Sequence, residues 1–381
     1  MKLANQIFSR QILKEYYFLY GNQIAKHIKE IPKREFAYAF VDRPGLKRHL
    51  SLENSERLCD MLKTVSPLHF YHSGAYYLFP DKEMDAKNWI EADLIFDIDV
   101  DHFENKELPN QDFIEYCKLC HNCFPPSTDI CIKCNNKLKS KLWLNQKDLL
   151  EAKNEAVRLI NVLNQSFGVH ETNMMLYFSG SRGFHVILDK NEFKNLDQSS
   201  RMDIVDYMRL TGYNLSYSEP IDLKNILKQF IQDDYKIFDK KERKILEAIK
   251  KKMLNKDESE SLTLIQKFSP KNRSIFEKYI KKKKMIEIDA PVTSDIHRLI
   301  RAPYSVHGKS GLSKIPVQDV DLFNPFLDPV LLSRRKITLK ISYMPKTIFI
   351  DNEYGPYFNE VQELPECFAM FLIGRGVAYI V

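Results

Sequence analysis

Residues 174–188 read MMLYFSGSRGFHVIL, two apolar runs split by the short polar segment Ser179–Gly183 and its two glycines. Runs of this length on either side of a glycine-bearing turn predict a β-hairpin. Just before it, Leu149, Ala152, Ala156, Leu159, Ile160 and Leu163 fall on one face of a 3.6-residue period, and Gly168 is placed to cap the end. That pattern predicts a helix over 145–167. Farther back, EADLIFDIDV at 91–100 is a strand candidate. Strand, helix and hairpin together predict a mixed α/β core.

Working outward, the first 60 residues have mainly helical spacing, broken by Pro32 and by a segment from Arg34 to Val41 in which Phe36, Tyr38 and Phe40 alternate as in a strand. Residues 191–284 lack strand signals and are rich in Lys, Glu, Leu and Ile, which predicts a helical insertion or subdomain. The expected division is therefore a core of 1–190 and 285–381, carrying a cysteine-rich segment at 117–134, with 191–284 inserted. Hydrophobic residues make up 44% and charged residues 28%, ordinary globular usage, and no apolar run approaches the roughly 20 residues that span a bilayer. The N-terminus carries scattered charges where a secretory signal would be uninterruptedly apolar. A cytoplasmic protein without a membrane partner is expected. The net charge is +6, with basic runs at Lys250–Lys252 and Lys281–Lys284 that suit phosphate contacts or a solvated helix face.

Side chains alternate along a strand, so Asp97 and Asp99 share a face while Phe96, Ile98 and Val100 pack on the other. Two adjacent carboxylates repel unless cations intervene, an arrangement suited to hard ions such as Mg²⁺ in phosphoryl transfer. In the predicted turn, Ser179, Ser181, Arg182 and His185 surround two of the chain's 12 glycines. Glycine lets backbone approach phosphate oxygens, and arginine supplies a planar fork, so the turn reads as a triphosphate cradle or as an ordinary tight hairpin. Farther on, Arg298, Arg301, His307 and Lys309 form a basic group preceded by Asp289, a third carboxylate.

Five of seven cysteines lie in CKLCHNCFPPSTDICIKC, residues 117–134. Repeated CxxC spacing in an unsecreted chain points to structural zinc rather than disulfides. Zinc takes four ligands, and the segment offers five thiols and His121. Cys120, Cys123, Cys131 and Cys134 are the set expected here, with Cys117 and His121 as substitutes.

In order and spacing, REF near the N-terminus, FDIDVD, the cysteine knuckles, SGSRGFH and IDAPVTSDIHRLIRAPYSVHGKSG resemble the small, catalytic subunit of archaeal and eukaryotic DNA primases over about residues 30–320. The resemblance implies that Asp97, Asp99 and Asp289 hold two catalytic ions, Mg²⁺ or Mn²⁺. It implies nucleotide contacts from Ser179, Arg182, His185, Arg301, His307 and Lys309, with Glu35 and Arg48 near an initiating-nucleotide or metal-proximal site. It also implies an α/β catalytic core with a helical subdomain, and a separate iron–sulfur large subunit as heterodimer partner. The substrates would be nucleoside triphosphates and a single-stranded DNA template, in the cytoplasm, at the nucleoid, of an archaeal-type cell. The expected activity is synthesis of short RNA, or also DNA, primers during replication. The rival readings are a repair-type primase-polymerase and a non-catalytic zinc-containing nucleic-acid-binding protein, the latter requiring Asp289 to lie far from Asp97 and Asp99.

Overall fold

The structure, a computed structural model, describes residues 2–103, 112–189, 191–215, 220–236 and 238–381. Part of the polar excursion that follows the aspartate strand, 104–111, and position 190 at the expected domain edge lie outside them. The chain forms two compact units, one of residues 1–102, 108–201 and 289–381, the other of 103–107 and 202–288.

The larger unit is mixed α/β. The expected hairpin is present as strands Met174–Phe178 and Gly183–Leu188, paired antiparallel from Met174 opposite Leu188 to Phe178 opposite Phe184. Its second strand pairs antiparallel with Leu94–Asp99, and Ile315–Pro316 completes a four-stranded sheet beside the first. The stretch read as one strand at 91–100 is two, Trp89–Ala92 and Leu94–Asp99, because the carboxylate of Asp93 turns inward to the buried Arg34, 2.8 Å away. Helix Gln146–Phe167 packs on this sheet with Leu149, Ala152, Ala156, Leu159 and Leu163 buried. Asn145 caps its N-terminus in a reciprocal box with Asp148, and Gly168, at φ 65°, ends it in the left-handed conformation.

A second four-stranded sheet runs in the order Leu299–Arg301, His69–Ser73, Phe36–Ala39, Leu46–Leu50. The N-terminal helix Lys2–Lys26 packs on helix Ser55–Val65. The C-terminal segment adds strands Lys336–Met344, Tyr357–Pro365 and Ala378–Ile380 and the helix Glu366–Arg375, whose residues from Cys367 to Leu372 are all buried. A three-stranded sheet of Asp112–Tyr116, Cys123–Phe124 and Lys139–Trp143 carries the cysteines.

The smaller unit is helical among its described residues, with helices Pro220–Gln232, Lys240–Met253, Glu258–Gln266 and Pro270–Lys284 around Phe230, Tyr235, Phe276 and Tyr279. Both basic runs occupy the last turns of their helices, where cations complement the helix dipole. Among the described residues no helix is long and apolar enough to cross a membrane.

Candidate active site

Register builds the site. With Gly183 opposite Asp99 and His185 opposite Asp97, both aspartates and the histidine emerge from one face of the sheet. Phe96 and Ile98, fully buried, hold the other face. A Cβ on Gly183 would meet the carbonyl oxygen of Ile98 at 1.7 Å, so the strands reach this separation only because the residue is glycine. In the turn, Gly180 has φ +80°, and the Ser179 hydroxyl accepts the amides of Ser181 and Gly183 at 3.3 Å each.

His185 Nε2 lies 3.4 Å from Asp97 Oδ1. Arg182 reaches back over the aspartate strand, its Nε 3.5 Å from Asp99 Oδ1 and its Nη1 in contact with Asp101 Oδ2. Asp289 is tied to the same strand by its amide, which donates to the Asp97 carbonyl at 2.8 Å, and its carboxylate lies 3.7 Å from His102 Nδ1. Burial, then the charges of Asp99 and Asp289, push the Asp97 pKa up to about 7. Burial, followed by Lys314, Arg301 and Arg298, pushes His185 well below the ordinary histidine value, so its ring is neutral near pH 7.

Asp97, Asp99, Ser179, Arg182, His185, Arg301 and His307 line one cleft of about 180 Å³. Arg301 is buried, with its guanidinium carbon 5.2 Å from the Tyr71 ring centroid and Nη1 donating to the Val306 carbonyl. His307 packs edge-on to His69, and its Nδ1 accepts the Lys309 amide at 3.3 Å. Lys309 is exposed beyond the cleft wall. Glu35 and Arg48 are not cleft residues. The Glu35 side chain is fully buried and accepts from Arg48 Nε at 3.0 Å, Arg48 Nη2 at 3.3 Å and the His49 amide at 3.1 Å, with Lys87 Nζ at 3.5 Å. Burial raises its pKa, but Arg48 and the His49 amide outweigh it and the net shift is downward. Its carboxylate positions Arg48, the member of this pair that reaches solvent.

Sequence reasoning did not single out Tyr71, which lines the cleft, or Lys314, which is fully buried with Nζ donating to the Arg301 carbonyl at 2.9 Å. Alternation in His69–Ser73 would have turned Tyr71 to the same face as His69. Lys314 carried no signal, because a lysine in a polar stretch reads as surface.

The cysteines assort differently from expectation. The Sγ atoms of Cys117, Cys120, Cys131 and Cys134 all lie within 4.8 Å of one another, with 3.3 Å between Cys117 and Cys134 and 3.5 Å between Cys120 and Cys131. Tetrahedral zinc with bonds of about 2.3 Å sets sulfurs about 3.8 Å apart, close to this spacing. Cys123, expected in the set, is out of it and Cys117 takes its place. Cys123 begins a strand, its thiol is buried against the Gly376 carbonyl at 3.6 Å, and burial pushes its pKa up to about 11. The reason is local repetition. CKLCHN and CIKCNN fold into the same knuckle, in which the first cysteine amide donates to the asparagine carbonyl (Cys117 to Asn122, Cys131 to Asn136). In each, a left-handed residue, His121 or Asn135, precedes that asparagine, whose side-chain amide donates to the second thiol. Cys120–Cys123 lacks that turn. His121 is exposed, placed by its backbone as a knuckle residue. Among the described residues these four thiols are the one group of three or more Cys, His, Asp or Glu ligand atoms gathered this tightly.

The model of the DNA primase small subunit family matches residues 96–319, more than half of the chain. The chain belongs to the DNA primase small subunit family. The match takes in the aspartate strand, the knuckles, the hairpin, Asp289 and the late basic group, and leaves out Glu35, Arg48 and the C-terminal helix. A DNA primase small subunit PriS of Archaeoglobus fulgidus is 30% identical, with 99% of each chain covered. That of Nitrosopumilus maritimus is 28% identical over 98% of each. That of Pyrobaculum islandicum is 32% identical over 80% of this chain and 76% of the relative.

Proposed function

We propose that this chain is the catalytic subunit of a DNA primase, joining nucleoside triphosphates into short primers on single-stranded DNA. The core of 1–190 and 285–381 would carry the reaction, and the helical insertion 191–284 an accessory role. The observation that carries the reading is the hairpin register, through which an acidic strand and a phosphate-type loop open into the same cleft.

The oxygen donors of Asp97, Asp99 and Asp289 suit hard divalent cations. Such ions, Mg²⁺ or Mn²⁺, supply charge neutralisation and a more acidic 3′-hydroxyl when bound there. Burial, with repulsion from Asp99 and Asp289 added to it, disfavours the Asp97 carboxylate, and a cation bound there would offset both. Buried Arg182 Nε and His185 Nδ1 have no hydrogen-bond partner, and a triphosphate would satisfy both. Arg182 would exchange Asp101 for phosphate oxygens, His185 would donate from a neutral ring, and Arg301 and His307 would close the far wall. The four knuckle thiols suit a structural zinc: against burial, hydrogen bonds from Asn122 bring Cys120 down, those from Asn136 lower Cys134, and burial holds Cys131 up, a cost that metal binding would offset. A large subunit would complete the heterodimer, as the family's description as a small subunit suggests.

Purified chain, single-stranded DNA, labelled nucleoside triphosphates and Mg²⁺ or Mn²⁺ should yield short products. Arg182→Ala should cut the yield at least about 10-fold, the loss of one charge-assisted phosphate contact. No products from folded wild type, with a large subunit supplied, would contradict the reading.

A further inference from the structure

The C-terminal helix Glu366–Arg375 ends against the loop that follows the cleft residue His307. A Cβ on Gly374 would lie 2.6 Å from the Lys309 backbone carbonyl, so the end of this helix and the loop carrying Lys309 are in backbone contact. The next residue, Arg375, lays its guanidinium carbon 4.2 Å from the Phe371 ring centroid and 5.2 Å from that of Trp143. Its Nε is buried without a hydrogen-bond partner, while the residue as a whole keeps partial exposure. Lys141, exposed on the adjoining strand, donates Nζ to the Arg375 carbonyl at 3.2 Å.

Among the described residues no carboxylate pairs with Arg375, Lys141 or Lys309. The charges felt across this corner are mostly cationic. Arg375 is depressed by burial and then by Arg182, and Lys141 faces the charges of Arg375 and Lys309, with the Cys123 thiol opposing. Two aromatic rings fix the plane of the guanidinium while no acceptor satisfies its Nε, a donor arrangement suited to a tetrahedral oxyanion. Packing alone would be served by an apolar residue, without gathering like charges at a cost.

We propose that Arg375 and Lys141 form, next to Lys309, a further phosphate-binding site that extends the cleft past Arg182. Both residues lie in the larger unit, and Arg375 is beyond the segment matched by the family model. The ligand is a phosphate oxyanion: the terminal phosphate of a nucleoside triphosphate or a backbone phosphate of the template. The inference rests on the primase reading for the identity of these ligands, but not on catalysis.

The test is equilibrium binding by the full chain of ATP, tripolyphosphate and AMP, and of a 20-nucleotide oligo-dT over a range of salt. The variants are Lys141→Gln, whose side chain is exposed, Arg375→Gln, and Arg375→Lys, which restores the charge. Thermal melts would establish that each is folded. If the site takes the triphosphate tail, the glutamine variants weaken ATP and tripolyphosphate about 10-fold and leave AMP unchanged, with partial recovery in Arg375→Lys. If it takes a backbone phosphate, oligo-dT weakens instead and the salt slope becomes shallower by about 0.7. Unchanged ATP and oligo-dT binding in folded Lys141→Gln and Arg375→Gln overturns the proposal. A wild type that binds ATP through these residues yet makes no primers would sink the primase reading and leave this site standing.

Discussion

Asp97 shows at one residue how a cluster of carboxylates is held against stability. Its folded-state pKa is raised to about 7, so protonation favours the folded state. This contribution is present at acid pH and is lost as pH rises from the ordinary carboxylate range through about 7. Without divalent ions at pH 8, Asp97→Asn should therefore melt several degrees above wild type, a gain of up to a few kcal/mol. Mg²⁺ should narrow the gap by stabilising the wild type alone; a variant that melts lower without metal would show that burial and neighbouring charge do not disfavour the Asp97 carboxylate. The thiols give a second residue-scale expectation. Cys117→Ser should lose stoichiometric zinc and Cys123→Ser should keep it, as read by metal analysis of protein purified without chelator. The aspartate pair was legible in the sequence because period-2 alternation alone puts 97 and 99 on one face. Cys117 over Cys123 was not, because CxxC spacing is satisfied by either, and the choice depends on turns completed by Asn122 and Asn136.

At the scale of elements, the hairpin depends on backbone approach. Gly183→Ala would drive a methyl group into the Ile98 carbonyl and should cost roughly 3 kcal/mol or prevent folding. Gly168→Ala, at a helix end with φ +65° and open space around it, should cost about 1 kcal/mol. Denaturant midpoints of the two variants measure the contrast, and equal losses would mean that the strand contact is not what glycine serves. Helix 145–167 and the hairpin were readable from periodicity and caps, since both signals are local. The break at Asp93 was hidden, because it comes from a partner, Arg34, 59 positions away. Glu35 was hidden in the same way: nothing near it announces that Arg48, His49 and Lys87 converge on one buried carboxylate.

For the molecule as a whole, the late basic group reaches the aspartates only through long-range topology, with Leu299–Arg301 at the edge of one sheet and Ile315–Pro316 at the edge of the other. The order of motifs was legible in sequence, and their convergence on one cleft was not. Template affinity should come chiefly from lysine and arginine contacts with phosphates. The affinity for oligo-dT should fall steeply between 50 and 200 mM salt, the log–log slope steepening by about 0.7 per contact, with little dependence on base; salt-independent binding would point to base readout instead. The most direct test of the central claim is primer synthesis on single-stranded DNA by wild type and by the Asp97→Ala, Asp99→Ala double variant, with Mg²⁺ or Mn²⁺ and a large subunit supplied. The reading requires short labelled products from wild type that vanish with chelator and are absent from the folded double variant. Undiminished synthesis by that variant would contradict it.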